Sequence, residues 1–338
     1  MTFGKSKQII HMDDIQTKGL TPYTTDDYQF FACRGGELRQ LTFLLNNHSV
    51  SALFSLPKTG KTSLINAGVN NPESLKASNA KAITFDIQPY QKENPHLLQQ
   101  LIAALNKEVK EPVFLDISFK DDNSLWFAAK KVHIYLKSYK RIYLILDSFE
   151  NLYTYPESQQ KEFVSSLTNL IYNEIPLRIS TQLNSMLMGE KENPLLGDAV
   201  TMIYENIKLG LLISVEKSLL QLTASLSPAF ADILKKSIEL LPIAADKADE
   251  LFESAANQPL EGCPNVVFAD GAKQYIISQN ISDDVITSPG NMRQIIFDIR
   301  KYARDFKRAL ITPDIIKESQ LFETNTFNKA LSLIDDQQ

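Results

Sequence analysis

Glycine and cysteine are scarce in this chain. Its 338 residues include 12 glycines and two cysteines, Cys33 and Cys263. Glycine is used at about half of the roughly 7% that is usual, so the position of each glycine is informative. Two cysteines are too few for a disulfide framework and cannot form a structural zinc site unaided. They fit reduced intracellular thiols better.

An excess of positive charge and a long apolar run are also missing. The net charge of −5 excludes a basic field over the whole surface, although a local basic patch for nucleic acid stays open. The longest apolar run lies around Leu209–Val215, far short of the roughly 20 residues that span a bilayer. The four histidines lack metal-ligand spacing. We therefore predict a cytoplasmic protein without a membrane segment.

Apolar runs alternate with helical patterns over the first half of the chain. Continuous apolar runs are typical of strands buried on both faces, and this alternation predicts an α/β fold with a parallel sheet covered by helices on both faces. The stretch Leu195–Lys236 is predicted to be mostly helical, and Asn291–Leu310 to be a long amphipathic helix. The predicted strands are Val50–Leu56, Lys81–Gln88, Arg141–Asp147, Leu177–Thr181 and Ile238–Ile243.

The segment SLPKTGKTSL, Ser55–Leu64, lies between a predicted strand and a predicted helix. That context is typical of the phosphate-binding loop G-x-x-x-x-G-K-[ST]. Backbone N–H groups at the helix start would bind phosphate, Lys61 would reach the β- and γ-phosphates, and the Thr62 hydroxyl would bind Mg²⁺. The alternative is a chance match at a helix start. The residues predicted to contact nucleotide here are Ser55, Lys58, Thr59, Gly60, Lys61, Thr62 and Ser63.

A second motif follows in the expected order. The apolar run Ile142–Leu146 ends in Asp147, as in the Walker-B arrangement, in which a central strand brings an aspartate to the Mg²⁺. The alternative explanation is a buried strand that ends in an aspartate at a turn. Because both motifs occur in order, we predict a P-loop NTPase core that binds a nucleotide and Mg²⁺.

The pattern of elements predicts four regions along the chain. Residues 1–20 are polar and read as a tail, and the alternation of strands and helices stops near residue 190. The predicted regions are the tail over 1–20, the P-loop NTPase core over 21–190, a helical insertion with the last core strand over 191–243, and a helical region over 244–338. The family resemblance given next implies that this last region is a helical lid with a winged-helix-like C-terminal region.

Several segments together resemble the bacterial novel STAND branch of the STAND-type NTPases, which are related to AAA+ proteins. The resemblance covers roughly residues 21–320. Its segments are Pro22-Tyr23, Asp26–Phe31, Cys33–Leu38, Gly60–Gly68, Asp147–Leu152, Leu240–Pro242 and Gly290–Arg293.

The resemblance implies an ATP-switched signalling ATPase in which nucleotide moves a lid against the core. It places Tyr23 beside the adenine and Arg34 near the edge where the nucleotide enters. Asp147 would bind the metal, Glu150 would lie near the attacking water as the second catalytic residue, and Arg293 would be the phosphate sensor of the lid.

Some positions depart from the pattern of that branch, and they favour nucleotide binding over efficient hydrolysis. Ser148 follows Asp147 where many AAA+ relatives carry a glutamate, and Gln182 stands where an arginine usually follows the fourth strand. Hydrolysis needs groups that orient water and stabilise charge, whereas binding needs less. The other departures are Cys33, Ser55, Lys58 and Met292.

The resemblance also implies a role in bacterial antiphage defence or signalling. Because core and lid account for the length of the chain, we expect an effector or sensor protein that acts in trans, within a homo- or hetero-oligomer. One alternative is a DNA-associated AAA+-like regulatory ATPase of the origin or transposition type. Another is a degenerate scaffold that does not hydrolyse ATP.

The predicted helix Asn291–Leu310 carries a row of basic residues beside its apolar stripe. This row would either face phosphate or nucleic acid, or be a solvated face with ion pairs. It consists of Arg293, Arg300, Arg304, Lys307 and Arg308.

Overall fold

The computed structural model describes residues 20–113, 123–189, 200–260, 262–263 and 265–319. The predicted tail lies almost wholly outside them. The chain divides into two compact units. The sheet unit consists of Gly36–Pro57 and Gly68–Leu240, and the lid unit of Met1–Gly35, Lys58–Ala67 and Leu241–Gln338. The phosphate loop from Lys58 onward therefore belongs to the lid unit.

A five-stranded parallel sheet forms the centre of the sheet unit, in the order β2-β3-β4-β1-β5. It is flanked by helices, as the apolar runs predict. Strands β3 and β4 are almost entirely buried, which explains their unbroken apolar sequences. The strands are β1 Val50–Ser55, β2 Ala80–Asp86, β3 Arg141–Asp147, β4 Leu209–Glu216 and β5 Ser237–Glu239.

The helices of this unit pack on the sheet through apolar side chains. Large buried members of the core are Trp126, Phe149, Phe163 and Phe230. The helices are α1 Gly35–Asn47, which begins at the border between the units, α3 Pro72–Leu75, α4 Leu97–Glu108, α5 Leu125–Tyr135, α6 Glu157–Ile171, α7 Leu177–Gly189 and α8 Leu220–Ser225. Helix α2 belongs to the phosphate loop and is described below.

The predicted fourth strand is wrong. Leu177–Thr181 begins helix α7, in which Ile179 and Leu183 are buried one turn apart. The fourth strand is instead β4, inside the stretch predicted to be mostly helical. Short apolar runs fit a helix or a strand equally well by pattern, and only pairing with β1 and β3 decides the matter here.

Two consequences follow from this correction. Gln182 lies within a helix and does not follow a strand, whereas β4 ends at Glu216 and is followed by Lys217. Gly210 is one of the few glycines, and a Cβ there would lie 2.6 Å from the Leu45 carbonyl at the end of α1. This close approach of helix and strand explains the glycine.

The lid unit is mainly helical and has its own apolar core, which includes Phe252, Ile276, Met292 and Ile296. The predicted helix Asn291–Leu310 exists, but it begins at Pro289 and ends at Asp305. The elements are α9 Ala248–Asn257, β6 Val267–Phe268, α10 Asp270–Ser278, β7 Ile281–Ser282, β8 Val285–Ile286, α11 Pro289–Asp305, β9 Leu310–Ile311 and α12 Pro313–Glu318.

Three observations concern the cysteines, membrane-spanning helices and metal-binding groups that the composition was used to judge. Both cysteines are free thiols. Among the described residues, no helix combines the length and apolar character needed to cross a membrane. Over the same part of the chain, histidine, cysteine and acidic side chains form no group that could hold a metal by themselves.

Candidate functional site

The phosphate loop follows β1 and leads into helix α2, Lys61–Ser63, which continues as a π-helical turn over Leu64–Val69. Gly60 precedes the helix with a φ of 101°. A Cβ atom at this position would have no neighbour within 4 Å. The left-handed backbone, and not a lack of space, therefore requires glycine here. Lys58 also has a positive φ, 60°, which is the physical reason that a glycine is usual at this position.

The carboxyl ends of β1 and β3 lie at one edge of the sheet, because all the strands are parallel and only β4 separates them. Asp147 ends β3 with 2% of its surface exposed. Its Oδ1 atom accepts a hydrogen bond of 3.0 Å from the backbone N–H of Ser148. The structure thus places a buried carboxylate at the edge from which the phosphate loop starts.

A second acid at this edge was missed by the sequence analysis. Asp86 ends β2 and is the direct cross-strand partner of Asp147. Its carboxylate accepts hydrogen bonds from the Ser148 hydroxyl and, at 2.6 Å, from Gln88 Nε2. Partial burial raises the pKa of Asp86, and the nearby charge of Asp147 adds to this effect. The signal was available, since both strands end their apolar runs in aspartate.

Glu150 lies in the 3₁₀ turn Phe149–Thr154 just after Asp147 and is half-buried. This turn is bound to the segment after β2, since Asn151 Nδ2 donates a 2.7 Å hydrogen bond to the Ile87 carbonyl. The neighbouring Ser148 has a left-handed backbone with a φ of 54°. The turn that carries Glu150 is therefore held by tertiary hydrogen bonds as well as by the strand before it.

In the lid unit, the N-terminal segment contacts the phosphate loop. The backbone N–H of Tyr23 donates to Ser63 Oγ at 3.2 Å, and Arg34 Nη2 donates to the Thr59 carbonyl at 3.2 Å. Tyr23 is 9% exposed and packs edge-on against Phe31. The structure thus brings Tyr23 and Arg34 to the loop.

Arg293 joins this group from helix α11. Its guanidinium lies 4.1 Å from the centre of the Tyr23 ring and donates a hydrogen bond to the Thr21 carbonyl. An arginine over an aromatic face is a favourable pair. Tyr23, Arg34 and Arg293 were predicted together from a resemblance alone, and they are neighbours of the loop or of one another in the lid unit.

The predicted basic face of this helix is not a single exposed face. Arg293 is 4% and Arg300 1% exposed, and Arg300 Nη1 donates to the Gln258 carbonyl at 2.6 Å. Arg304 pairs with Asp305, while Lys307 and Arg308 are exposed beyond the helix end. The helix therefore offers nucleic acid less positive surface than the sequence predicted.

One face of helix α9 was also missed. Glu250 Oε1 accepts a 2.9 Å hydrogen bond from the Cys33 N–H, and Ser254 Oγ donates to the Phe30 carbonyl. Gln258 Nε2 donates to Asp27 Oδ1 at 2.6 Å. The spacing of four residues along the helix was the available signal, but nothing local identifies the partner segment.

Cys33 lies in this contact with a left-handed backbone, φ 67°. Burial, together with the charge of Glu250, raises the pKa of its thiol to about 12. The thiol is therefore protonated at neutral pH and contacts the Lys247 carbonyl. This argues for a packing role of the cysteine that departs from the pattern of the branch.

The loop residues of one unit and Asp147 of the other are each of a kind that suits a nucleotide with a divalent metal. Gly60 immediately precedes the helix, whose first N–H groups would suit phosphate, and Lys61 and Thr62 are half-buried in its first turn. Asp147 is an oxygen donor of the kind that Mg²⁺ prefers. These groups fit such a ligand by their chemistry.

Comparisons with known proteins agree with this architecture. The structure is similar to the ORC2 protein of Aeropyrum pernix in its ADPNP-ADP complexes, with a TM-score of 0.57, 14% identity, and coverage of 90% of this chain and 70% of that one. It is also similar to the Aeropyrum pernix ORC1 protein in complex with DNA, with a TM-score of 0.52, 14% identity, and coverage of 87% and 68%.

A Walker-type ATPase of Pyrococcus abyssi is similar at a TM-score of 0.50 and 14% identity, over 94% of this chain and 79% of that one. A search of curated proteins found no match. The model of the family Novel STAND NTPase 1 matches residues 18–210, more than half of the chain. The chain therefore belongs to the novel STAND NTPases and carries their P-loop ATPase fold.

Proposed function

We propose that this protein binds ATP with Mg²⁺ and acts as a nucleotide-controlled switch. The observations that carry the proposal are the left-handed Gly60 at the start of a helix that follows β1 in the chain, and buried Asp147 at the end of β3. Lys61 would contact the β- and γ-phosphates, Thr62 and Asp147 would hold the metal, and Glu150 would lie near the attacking water. Bound Mg²⁺ would neutralise phosphate charge.

The remaining predicted residues would complete the nucleotide site. The N–H groups of the loop, from Lys58 to Ser63, would bind phosphate oxygens, and Ser55 would support the loop at the end of β1. Tyr23 would lie beside the base, Arg34 would lie near the edge where the nucleotide enters, and Arg293 would be the phosphate sensor of the lid. We expect nucleotide binding without efficient hydrolysis, because Ser148 replaces the usual glutamate after the Walker-B aspartate.

The division into units supports a switch. Lys58–Ala67 belongs to the lid unit, and its contacts with Tyr23 and Arg34 link the phosphate loop to the N-terminal segment. Phosphate binding at the loop would therefore act directly on the lid unit. In a bacterial cytoplasm, this movement would control an oligomer and an effector or sensor supplied in trans, as in antiphage defence.

The test is Mg²⁺-dependent ATP binding and hydrolysis by the wild type, Lys61→Ala and Asp147→Ala. Loss of a charge-assisted phosphate contact should weaken ATP binding by about 100-fold in Lys61→Ala. Asp147→Ala should abolish the Mg²⁺ dependence. Lys76→Ala is the matched control, because Lys76 is exposed and pairs with Glu73. A wild type that does not bind ATP would leave a scaffold as the function.

The oligomer is tested separately by measuring the mass of the purified protein with and without ATP. A mass that rises with ATP in the wild type but not in Lys61→Ala would support the switch. A monomer under all conditions that is fully active in cells would contradict the proposed partner in trans.

A further inference from the structure

The N-terminal segment of the lid unit, residues 21–35, contacts both the phosphate loop and the lid helices; we name it the strap. On the loop side, Tyr23 N–H bonds to Ser63 Oγ and Arg34 bonds to the Thr59 carbonyl, both at 3.2 Å. These two bonds join the strap, near each of its ends, to Thr59 within the phosphate loop and to Ser63, the last residue of helix α2.

On the lid side, three residues of the α9 region bind the strap at successive turns. Glu250, Ser254 and Gln258 contact Cys33, Phe30 and Asp27 respectively. Helix and strap thus run past each other in opposite chain directions, with a polar contact about every turn. Directional hydrogen bonds at successive turns specify one register of helix and strap.

Gln258 is the central residue of this contact. It is 2% exposed, its Nε2 donates to Asp27 Oδ1 at 2.6 Å, and its carbonyl accepts from Arg300 Nη1 at 2.6 Å. The other oxygen of Asp27 accepts from the N–H and the hydroxyl of Thr24, both at 2.9 Å. Thr24 directly follows Tyr23, so Gln258 fixes the turn that carries the Tyr23 ring.

Helix α11 reaches the strap at two places. Arg300 does so through Gln258, and Arg293 does so directly, with its guanidinium over the Tyr23 ring. The two arginines are seven residues apart and therefore lie on one face of the helix. A connected chain of contacts consequently runs from α11 through Gln258 and the strap to the phosphate loop.

Resting on the proposed function, we propose that Gln258, with Asp27, is a positioning residue for the nucleotide base. It holds the strap so that Tyr23 is in place beside the loop when ATP binds, and it transmits the state of the loop to α9 and α11. It does not contact phosphate. The strap therefore contributes to recognition of the base side of ATP, while Lys61 contributes to recognition of the triphosphate side.

If Gln258 positions the base and does not merely stabilise the fold, loss of its side chain should weaken the affinity for a ligand that has a base. The affinity for a ligand without a base should change little. The two probes are Mg²⁺-ATP and Mg²⁺-tripolyphosphate, with their affinities measured by titration calorimetry. The proteins are the wild type, Gln258→Ala, Asn257→Ala and Lys61→Ala. Asn257 is the matched control, because it is the exposed neighbour whose amide bonds within its own helix.

Gln258→Ala is expected to weaken ATP binding about tenfold, the size of one lost hydrogen bond to a charged group. Tripolyphosphate affinity is expected to stay within about twofold of the wild type. Asn257→Ala should change neither affinity, and Lys61→Ala should weaken both. If Gln258→Ala does not fold, Asp27→Asn is the second variant, since it keeps the side-chain shape and removes the charged acceptor. It should weaken ATP binding alone in the same way.

Two results would overturn the inference while the proposed function stands. One is equal weakening of ATP and tripolyphosphate by Gln258→Ala, and the other is unchanged ATP affinity in both the Gln258 and the Asp27 variants. Failure of the proposed function looks different, because the wild type would then bind neither probe or Lys61→Ala would bind both normally. That result would remove the inference as well.

Discussion

The sheet unit and the lid unit bury charge in different ways. All three buried arginines among the described residues, Arg34, Arg293 and Arg300, lie in the lid unit, and each donates to a main-chain carbonyl. The sheet unit instead buries Lys130 and Asp147 beside a large apolar core. Arginine stays charged when buried, whereas lysine shifts its pKa.

The two units therefore differ in the interactions that hold each of them together. The sheet unit is organised by strand pairing and apolar packing, which fix the sheet edge at which Asp86 and Asp147 lie. The lid unit combines a smaller apolar core with directional bonds between side chains and main-chain carbonyls, and it contains the phosphate loop from Lys58 onward.

The largest effect is expected from truncating a core phenylalanine in either unit. Phe163 in the sheet unit is 0% and Phe252 in the lid unit 1% exposed, so each substitution by alanine should cost about 3–5 kcal/mol of unfolding free energy. Calorimetry should show that each variant lowers a different thermal transition. Identical shifts of one shared transition would break the comparison, because they would mean that the units unfold together.

The next effect is a pH dependence of the sheet unit. Lys130 is 0% exposed, and burial lowers the pKa of its ammonium to about 8 from 10.5. Between these values the unfolded state binds more protons, so stability should rise with pH across this window, by up to about 3 kcal/mol. Urea unfolding from pH 7 to 10.5 measures the rise. Lys130→Met should reduce it, and an equal rise in that variant would contradict the assignment.

A smaller effect is expected in the lid unit from Arg300→Ala. The substitution removes the 2.6 Å bond to the Gln258 carbonyl and leaves that buried acceptor unsatisfied. We expect a loss of about 2 kcal/mol in denaturant unfolding. Arg308→Ala, at an exposed position of the same unit, should stay within about 0.5 kcal/mol. Similar losses in both variants would show that charge, and not the buried bond, matters.

The smallest effect is expected at two strained positions, one in each unit. Ser148 and Lys58 have φ values of 54° and 60°. Glycine relieves this conformation but adds entropy to the unfolded chain, so Lys58→Gly should raise stability by less than about 1 kcal/mol. Ser148→Gly also removes the hydroxyl that donates to Asp86, so its stability should stay nearly unchanged. Denaturant midpoints measure the change. A clear loss at either position would mean that the side chain contributes more than the strain costs.

The parts of the fold that were predictable from the sequence are the ones that local sequence encodes. The loop residues Ser55–Leu64 are contiguous in the sequence. Strand β3 can be recognised as an unbroken apolar run that ends in Asp147. The exchange of α7 for β4 was not predictable by pattern, because a short apolar run fits either element. Pairing between β3 and β1 selects Leu209–Glu216 as the strand.

The site follows the same rule. Lys61, Thr62 and Asp147 belong to motifs that can be recognised along the chain, and their roles in nucleotide binding remain predictions. Asp86 was missed because its importance depends on its register with Asp147, which is a property of the sheet. Gln258 was missed because its partner Asp27 lies 231 residues away.

By itself, the sequence determined the class of this protein, since a phosphate loop and a Walker-B strand are short motifs whose chemistry depends on adjacent residues. Scarcity of glycine also proved informative at Gly60 and Gly210, where backbone conformation and close packing explain the residue. Only the tertiary structure decided which run is the fourth strand, which arginines are buried, and which face of α9 holds the strap. These depend on contacts between distant segments, and no local pattern specifies such contacts.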